Sequence, residues 1–135
     1  MIFLDTTFLV DILRKDSAAI SWLNDVEEQA LYTSEINVFE LYTGLFRISE
    51  SSKTKQKKRT FELEQLLSML EVLSFDRTSA IDSAKFLSLL MSRGEPIGAR
   101  DIMIAGTALS KGIKRLVTRN IREFQRVPGL NTESY

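Results

Sequence analysis

Neither cysteine nor histidine occurs anywhere in the 135 residues. Without cysteine there is no disulfide framework, no thiolate nucleophile and no thiolate zinc site. A reducing compartment such as the cytoplasm suits such a chain. The lack of histidine removes the commonest general base and the commonest zinc ligand. Any catalysis is therefore left to carboxylates, hydroxyls, lysine, tyrosine or a hard cation held by oxygen. No apolar run approaches the roughly 18 residues of a membrane span, so no membrane association is expected. The opening Ile2-Phe3-Leu4 is too short for a signal-peptide core and lacks a basic stretch before it. Net charge is also missing: 18 basic residues balance 18 acidic ones, so bulk electrostatics do not announce a nucleic-acid binder.

What is present is an ordinary globular composition, 44% hydrophobic and 27% charged, in a length that fits one domain with its own core. There is no repeat, low-complexity segment or interdomain linker. The charges are unevenly placed. Lys53, Lys55, Lys57, Lys58 and Arg59 crowd one stretch, and Lys111, Lys114, Arg115, Arg119, Arg122 and Arg126 face the single acid Glu123 near the C-terminus. The first cluster reads most simply as a solvated helix start.

Ile2–Leu4 predicts a short buried strand ending at Asp5, followed by a helix to about Arg14 capped by Thr6 or Thr7. Helices are expected from about Ser17, from Ser34 to about Ser49 and from Thr54 to Met69. The second of these lines up Ile36, Phe39, Tyr42, Leu45 and Phe46, and the third Phe61, Leu63, Leu66, Leu67 and Leu70. Leu31–Thr33, Glu71–Phe75 and Arg115–Thr118 are the further strand candidates. Ser79–Arg93 and Ala99–Lys111 are helical, the latter ended by Gly112. A short helical turn near Ile121–Phe124 and a last segment after Pro128-Gly129 complete the chain. Strands separated by helices imply an α/β domain with a mostly parallel sheet covered on both faces. Asp5, Ser34, Asp76 and Thr118–Asn120 then fall at strand C-termini, where such sheets place their sites.

Three carboxylates stand out. Asp5 ends an apolar strand, where it could cap the next helix or ligate a cation. Glu40 lies in the apolar stretch "INVFELYTGLF", either on a surface face with Asn37, Thr43 and Gly44 or partnered inside. Asp101 precedes "IMIAGTAL" and follows Arg100, which could pair with it locally. "FLDTT" also resembles the nucleophile motif of haloacid-dehalogenase-like phosphatases, but Thr7 stands where that motif needs a second aspartate.

Four segments occur in a telling order: "MIFLDTTFLVDIL", "NVFELYTG", "PIGARDIMIAGTAL" and "RLVTRNIREFQRVPGLN". Together they span essentially the whole chain and resemble the VapC-type branch of the PIN-domain family, ribonuclease toxins of toxin–antitoxin pairs. The resemblance implies a three-layer α/β/α domain with a central sheet of four to five strands. It further implies Mg²⁺ or Mn²⁺ held by acidic side chains, and RNA phosphodiester hydrolysis by metal-activated water. Asp5, Glu40 and Asp101 match the first three acidic positions; Asn120 stands at the fourth, often an aspartate, and brings an amide oxygen without charge. Glu123 could substitute for that carboxylate or face solvent. Thr6 and Thr118 are candidate supporting hydroxyls, and Arg100, Arg119 and Arg122 candidate phosphate contacts. The family also implies a cognate antitoxin, whose tail enters the acidic groove, and a homodimer, with helices near residues 34–70 as docking surfaces. A degenerate PIN module that binds RNA or a protein without catalysis is the alternative.

Overall fold

A computed structural model describes residues 1–26, 28–48 and 52–135. Its elements alternate as β1 (Ile2–Leu4), α1 (Thr6–Leu13), α2 (Ser17–Asp25), β2 (Leu31–Ser34), α3 (Glu35–Phe46), α4 (Lys53–Ser68), β3 (Glu71–Leu73), α5 (Arg77–Ser92), α6 (Ala99–Ser110), β4 (Arg115–Val117), α7 (Ile121–Phe124) and β5 (Asn131–Glu133). All strand pairings are parallel and the sheet order is β3-β2-β1-β4-β5. The chain therefore builds outward from β1 to one edge, then crosses back and builds β4 and β5 on the other side. That reversal makes the gap beyond β1 and β4 a topological switch point.

Alternation along the strands separates two cores. Phe3 and its register partner Leu116 face Leu90, Ile102, Ile104 and Phe124 from α5, α6 and α7. Ile2, Leu4 and Val117 face Phe8, Leu9, Leu63 and Leu66 from α1 and α4, with α2 beside them. Each fully buried side chain of this size contributes about 1.5–3 kcal/mol. α3 spans both cores, with Ile36 packed against the first and Leu41 buried in the second.

Several expected boundaries shift. The strand expected over residues 71–75 stops at Leu73, and α5 begins at Arg77 rather than Ser79 because Asp76 caps it through the Ser79 amide at 2.9 Å. α3 ends at Phe46; the expected end at Ser49, like most of the polar break after it, lies outside the described residues. The expected α3 stripe is partly wrong in phase: Phe39 and Phe46 are 58% and 65% exposed, while Leu41 and Asn37 are inside. Phe61 in α4 is likewise exposed, and Leu63, Leu66 and Leu67 carry that helix's burial. The segment after Gly129 forms β5, one of the two edge strands. Among the described residues no helix is long and apolar enough to cross a membrane.

Candidate active site

Asp5 follows β1 and Thr118 follows β4, so the switch point brings them together across 113 positions of sequence. The Thr118 hydroxyl donates to Asp5 Oδ2 at 2.7 Å, and the Thr7 hydroxyl donates to the same oxygen at 3.2 Å. Asp5 is buried at the N-cap position of α1, yet its carboxylate makes no side-chain capping bond there, and the two threonine hydroxyls hold it instead. Thr7 does not cap α1 either; its hydroxyl accepts from the Arg119 amide and lies 3.2 Å from the Thr118 hydroxyl. Burial drives the Asp5 carboxyl up from its ordinary value, opposed chiefly by the Thr118 hydroxyl.

The other face of Asp5 is held by a residue that the sequence reading named only as a neighbour of Glu40 on a possible surface face. Asn37 is fully buried. Its amide nitrogen donates to Asp5 Oδ1 at 3.3 Å and to the Thr6 hydroxyl at 3.0 Å. Its amide oxygen accepts from the Ser34 hydroxyl at 2.6 Å and the Ser34 amide at 3.2 Å, closing a capping box at the start of α3. Thr6 in turn donates to Glu40 Oε1 at 2.7 Å. The available signal was spacing: Asn37 stands three residues after a cap serine and three before Glu40, on one face of α3. Glu40 therefore faces the site, not a separate surface.

Asp101 enters from the first turn of α6. The Asn120 amide nitrogen donates to its Oδ2 at 3.1 Å, so Asn120 orients Asp101 through this bond. The Thr118 hydroxyl fixes the Asn120 amide at 2.9 Å. Desolvation pushes the Asp101 carboxyl up to about 6, helped by the nearby charges of Asp5, Glu40 and Glu123 and opposed by Arg100. Glu123 thus belongs to the electrostatic surroundings of the site while pairing with Arg126 at 3.5 Å. Arg100 pairs across helices with Glu40 at 3.6 Å rather than serving only its neighbour Asp101. Arg119 is engaged by Asp11 at 3.0 Å, and Arg122 is exposed. Asp76 is not in the cluster: it binds Lys111 at 2.6 Å, at the opposite end of α6 from Asp101.

The result is an open cleft lined by Glu40, Gly98, Ala99, Arg100 and Asp101, with Asp5 behind it. A more enclosed crevice between α1, α2 and α4 is lined by apolar side chains such as Phe8, Leu23 and Leu66 and no ionisable group, so it offers no such chemistry. Among the described residues no three carboxylates are gathered into a preformed metal cage. The donors nevertheless suit a hard cation. They are all oxygen, and the crowding that raises Asp101 is relieved by positive charge. Such an ion would rest on one or two carboxylates and keep water in its remaining positions.

A parallel sheet with an acidic cluster at its switch point defines a class, and comparison with known proteins gives it a name. The chain belongs to the PIN-domain family, whose model matches residues 2–130. Its relatives within that family are VapC proteins. One from Salmonella typhimurium, named tRNA(fMet)-specific endonuclease VapC, is 32% identical over 98% of this chain and 96% of its own length. VapBC2 of Rickettsia felis, solved bound to a DNA fragment from its promoter, superimposes with a TM-score of 0.85 at 28% identity, covering 100% of this chain and 99% of that one. DNA-bound VapBC of Salmonella typhimurium gives 0.83 at 32% identity over 99% and 98% of the two chains.

Proposed function

We propose that this chain is a divalent-cation-dependent endoribonuclease acting as the toxin of a toxin–antitoxin pair. The observation that carries the reading is the convergence of Asp5, Glu40 and Asp101 at the switch point, through the Asn37–Thr6 bridge and the Arg100 pair, with Asp101 raised first by burial and then by the other carboxylates. The full-length match to VapC ribonucleases adds to it. Asp5 and Asp101 would hold Mg²⁺ or Mn²⁺, with Glu40 binding directly or through water. When bound, the cation supplies a Lewis acid for the scissile phosphate and an activated water. The protein's own part is to fix the donors. Thr118, Thr7 and Asn37 lock Asp5, Thr6 locks Glu40, and Asn120 orients Asp101.

Arg100 lines the cleft, and with Arg119 and Arg122 it would meet RNA phosphates, supplying salt-dependent affinity rather than sequence preference. The exposed Phe46 and Phe61 of α3 and α4 support these helices as the surface for a second copy or for the antitoxin. The proposed working compartment is the cytoplasm.

The decisive experiment incubates purified protein, free of antitoxin, with structured and unstructured RNAs and an initiator tRNA, under Mg²⁺, Mn²⁺ or EDTA. Cation-dependent scission is expected from the wild type and at least a hundredfold less from Asp5→Asn and Asp101→Asn with the fold retained. Undiminished cutting by both variants would sink the assignment. A second reading, an RNA- or protein-binding module without catalysis, draws on Asn120 at the fourth position and on the lack of a preformed cage. It predicts saturable RNA binding and no scission under any cation.

A further inference from the structure

Phe39 is an anomaly. It immediately precedes Glu40 on α3, yet its ring is 58% exposed, and the expected apolar packing of this residue does not occur. A ring left mostly in water gains little from folding beyond its contact with Arg100, and it is an adaptable surface for flat ligands. Opposite it stands Arg100, whose guanidinium carbon lies 6.0 Å from the ring centroid. Arg100 is the residue before Asp101, lines the cleft with Glu40, and pairs with Glu40 at 3.6 Å. Phe39 and Arg100 are thus each one residue from a proposed cation ligand, and they face each other.

We propose that Phe39 and Arg100 form a stacking site for an unpaired nucleobase of single-stranded RNA, beside the acidic cluster. The inference rests on the ribonuclease reading for its substrate class. Three observations favour a base over other flat or apolar groups. First, the pair stands at the outer limit of a cation–π contact, about an ångström short of the opening that an inserted base needs. Carbon contacts are best at about 3.5–4 Å, so two planes that sandwich a third stand about 7 Å apart. A side chain that is 55% exposed can swing the missing ångström at little cost. Second, the chemistry of the pair is mixed. An aromatic face opposite a planar cation is the combination on which splayed-out RNA bases stack, and the positive charge tolerates the attached phosphate. An apolar protein anchor would instead meet the ion pair of Arg100 and Glu40, which it would have to desolvate. Third, the position suits the reaction. A base held at Phe39 leaves its own phosphodiester within a nucleotide's length of Asp101 and Glu40, so stacking would set which bond enters the cleft. Because every base offers a π-face, the site favours unpaired segments over any one sequence.

The test measures binding apart from cutting. In the Asp5→Asn background, fluorescence anisotropy gives the affinity for a labelled single-stranded RNA of about ten nucleotides. Inorganic polyphosphate serves as a competitor that has the charge but no base. Phe39→Ala should weaken RNA between about fivefold and 150-fold, Phe39→Trp should restore it, and neither should move polyphosphate inhibition. Arg100→Lys, which keeps the charge and loses the plane, should weaken RNA by a larger factor than it weakens polyphosphate. Thermal melts should show all these variants folded, since both side chains are mostly in solvent. Unchanged RNA affinity in Phe39→Ala overturns the proposal, as does an equal loss toward RNA and polyphosphate. If Phe39→Ala leaves RNA affinity intact but dissociates a dimer in sedimentation, the ring belongs to a protein interface and the proposal is wrong. The ribonuclease reading fails separately, by absence of scission in the wild type, whatever the anisotropy shows.

Discussion

Asp101 concentrates the electrostatic conflict of the site in one side chain. Its folded-state value of about 6 stands above the 3.8 of a free aspartate, so the folded protein holds this proton more tightly than the unfolded chain. Stability without a divalent cation should therefore fall as pH rises from about 4 to about 6, and level off above that. Asp5, raised by burial, pulls in the same direction. The full shift corresponds to about 3 kcal/mol, which solvent screening at this half-buried group reduces to about 1–2 kcal/mol. Asp101→Asn should thus melt about 3–8 °C higher than wild type at pH 7 in EDTA, with the gap closing toward pH 4. Adding Mg²⁺ should raise the wild-type melting temperature and leave the variant nearly unmoved. A wild type that is equally stable at pH 4.5 and 7 in EDTA would refute this account.

At the level of elements, two contacts invite substitution in opposite directions. α5 and α6 cross so closely at Gly106 that an added Cβ would lie 2.0 Å from Ser83 Oγ and 2.9 Å from Ser83 Cα. The hydroxyl can turn away, but the backbone carbon cannot, so Gly106→Ala must push the helices apart. The expected cost, net of alanine's better helix propensity, is about 1–3 kcal/mol in urea unfolding. Because α6 carries Asp101, the same variant should also lose more cation-dependent activity than its stability alone accounts for. The end of α1 shows the converse case. Lys15 adopts φ 60°, the left-handed position after a helix that glycine takes without strain. Lys15→Gly should stabilise the protein by about 0.5–1 kcal/mol, read as a higher urea midpoint at unchanged slope.

At the scale of the whole molecule, the last five residues fasten the edge of the sheet to the helical layer below. β5 pairs with β4, and Glu133 receives both Arg115 at 3.1 Å and the Trp22 indole at 3.3 Å. The Tyr135 ring packs edge-on against Phe8 with centroids 4.8 Å apart, and its hydroxyl donates to Asp11, the partner of Arg119. Truncation after Leu130 should cost about 3–5 kcal/mol, the sum of a lost ladder, a charge-assisted pair and an aromatic contact. It also bares the edge of β4, so the truncated chain should aggregate at concentrations where the full chain does not. Differential scanning calorimetry with light scattering reads both effects.

Much of this was written in the order of residues. Period-2 and period-3.6 patterns, cap residues and turn glycines locate elements because those are local steric and hydrogen-bonding preferences, decided within a few positions. That is why β1, α6 and β4 fall within a residue of expectation. The acidic set stood out because an ionised side chain inside an apolar run is costly, but each carboxylate also had a plainer explanation, and only the resemblance to the PIN family joined the three as a candidate site. Other facts could be settled only when distant segments met. Asn37 became a donor to Asp5, and Asn120 a donor to Asp101, through bonds that span 32 and 19 positions. Asp76 sits at a strand end like Asp5, yet the path of α6 carries it away from the site and onto Lys111. The sequence by itself determined most of the elements, the exclusion of cysteine and histidine chemistry and the candidate carboxylates, since these follow from residue type and short-range spacing. Only the tertiary structure decided which polar groups share a cavity and which aromatic rings stay in water, because both depend on how helices pack around a sheet whose order the chain reverses.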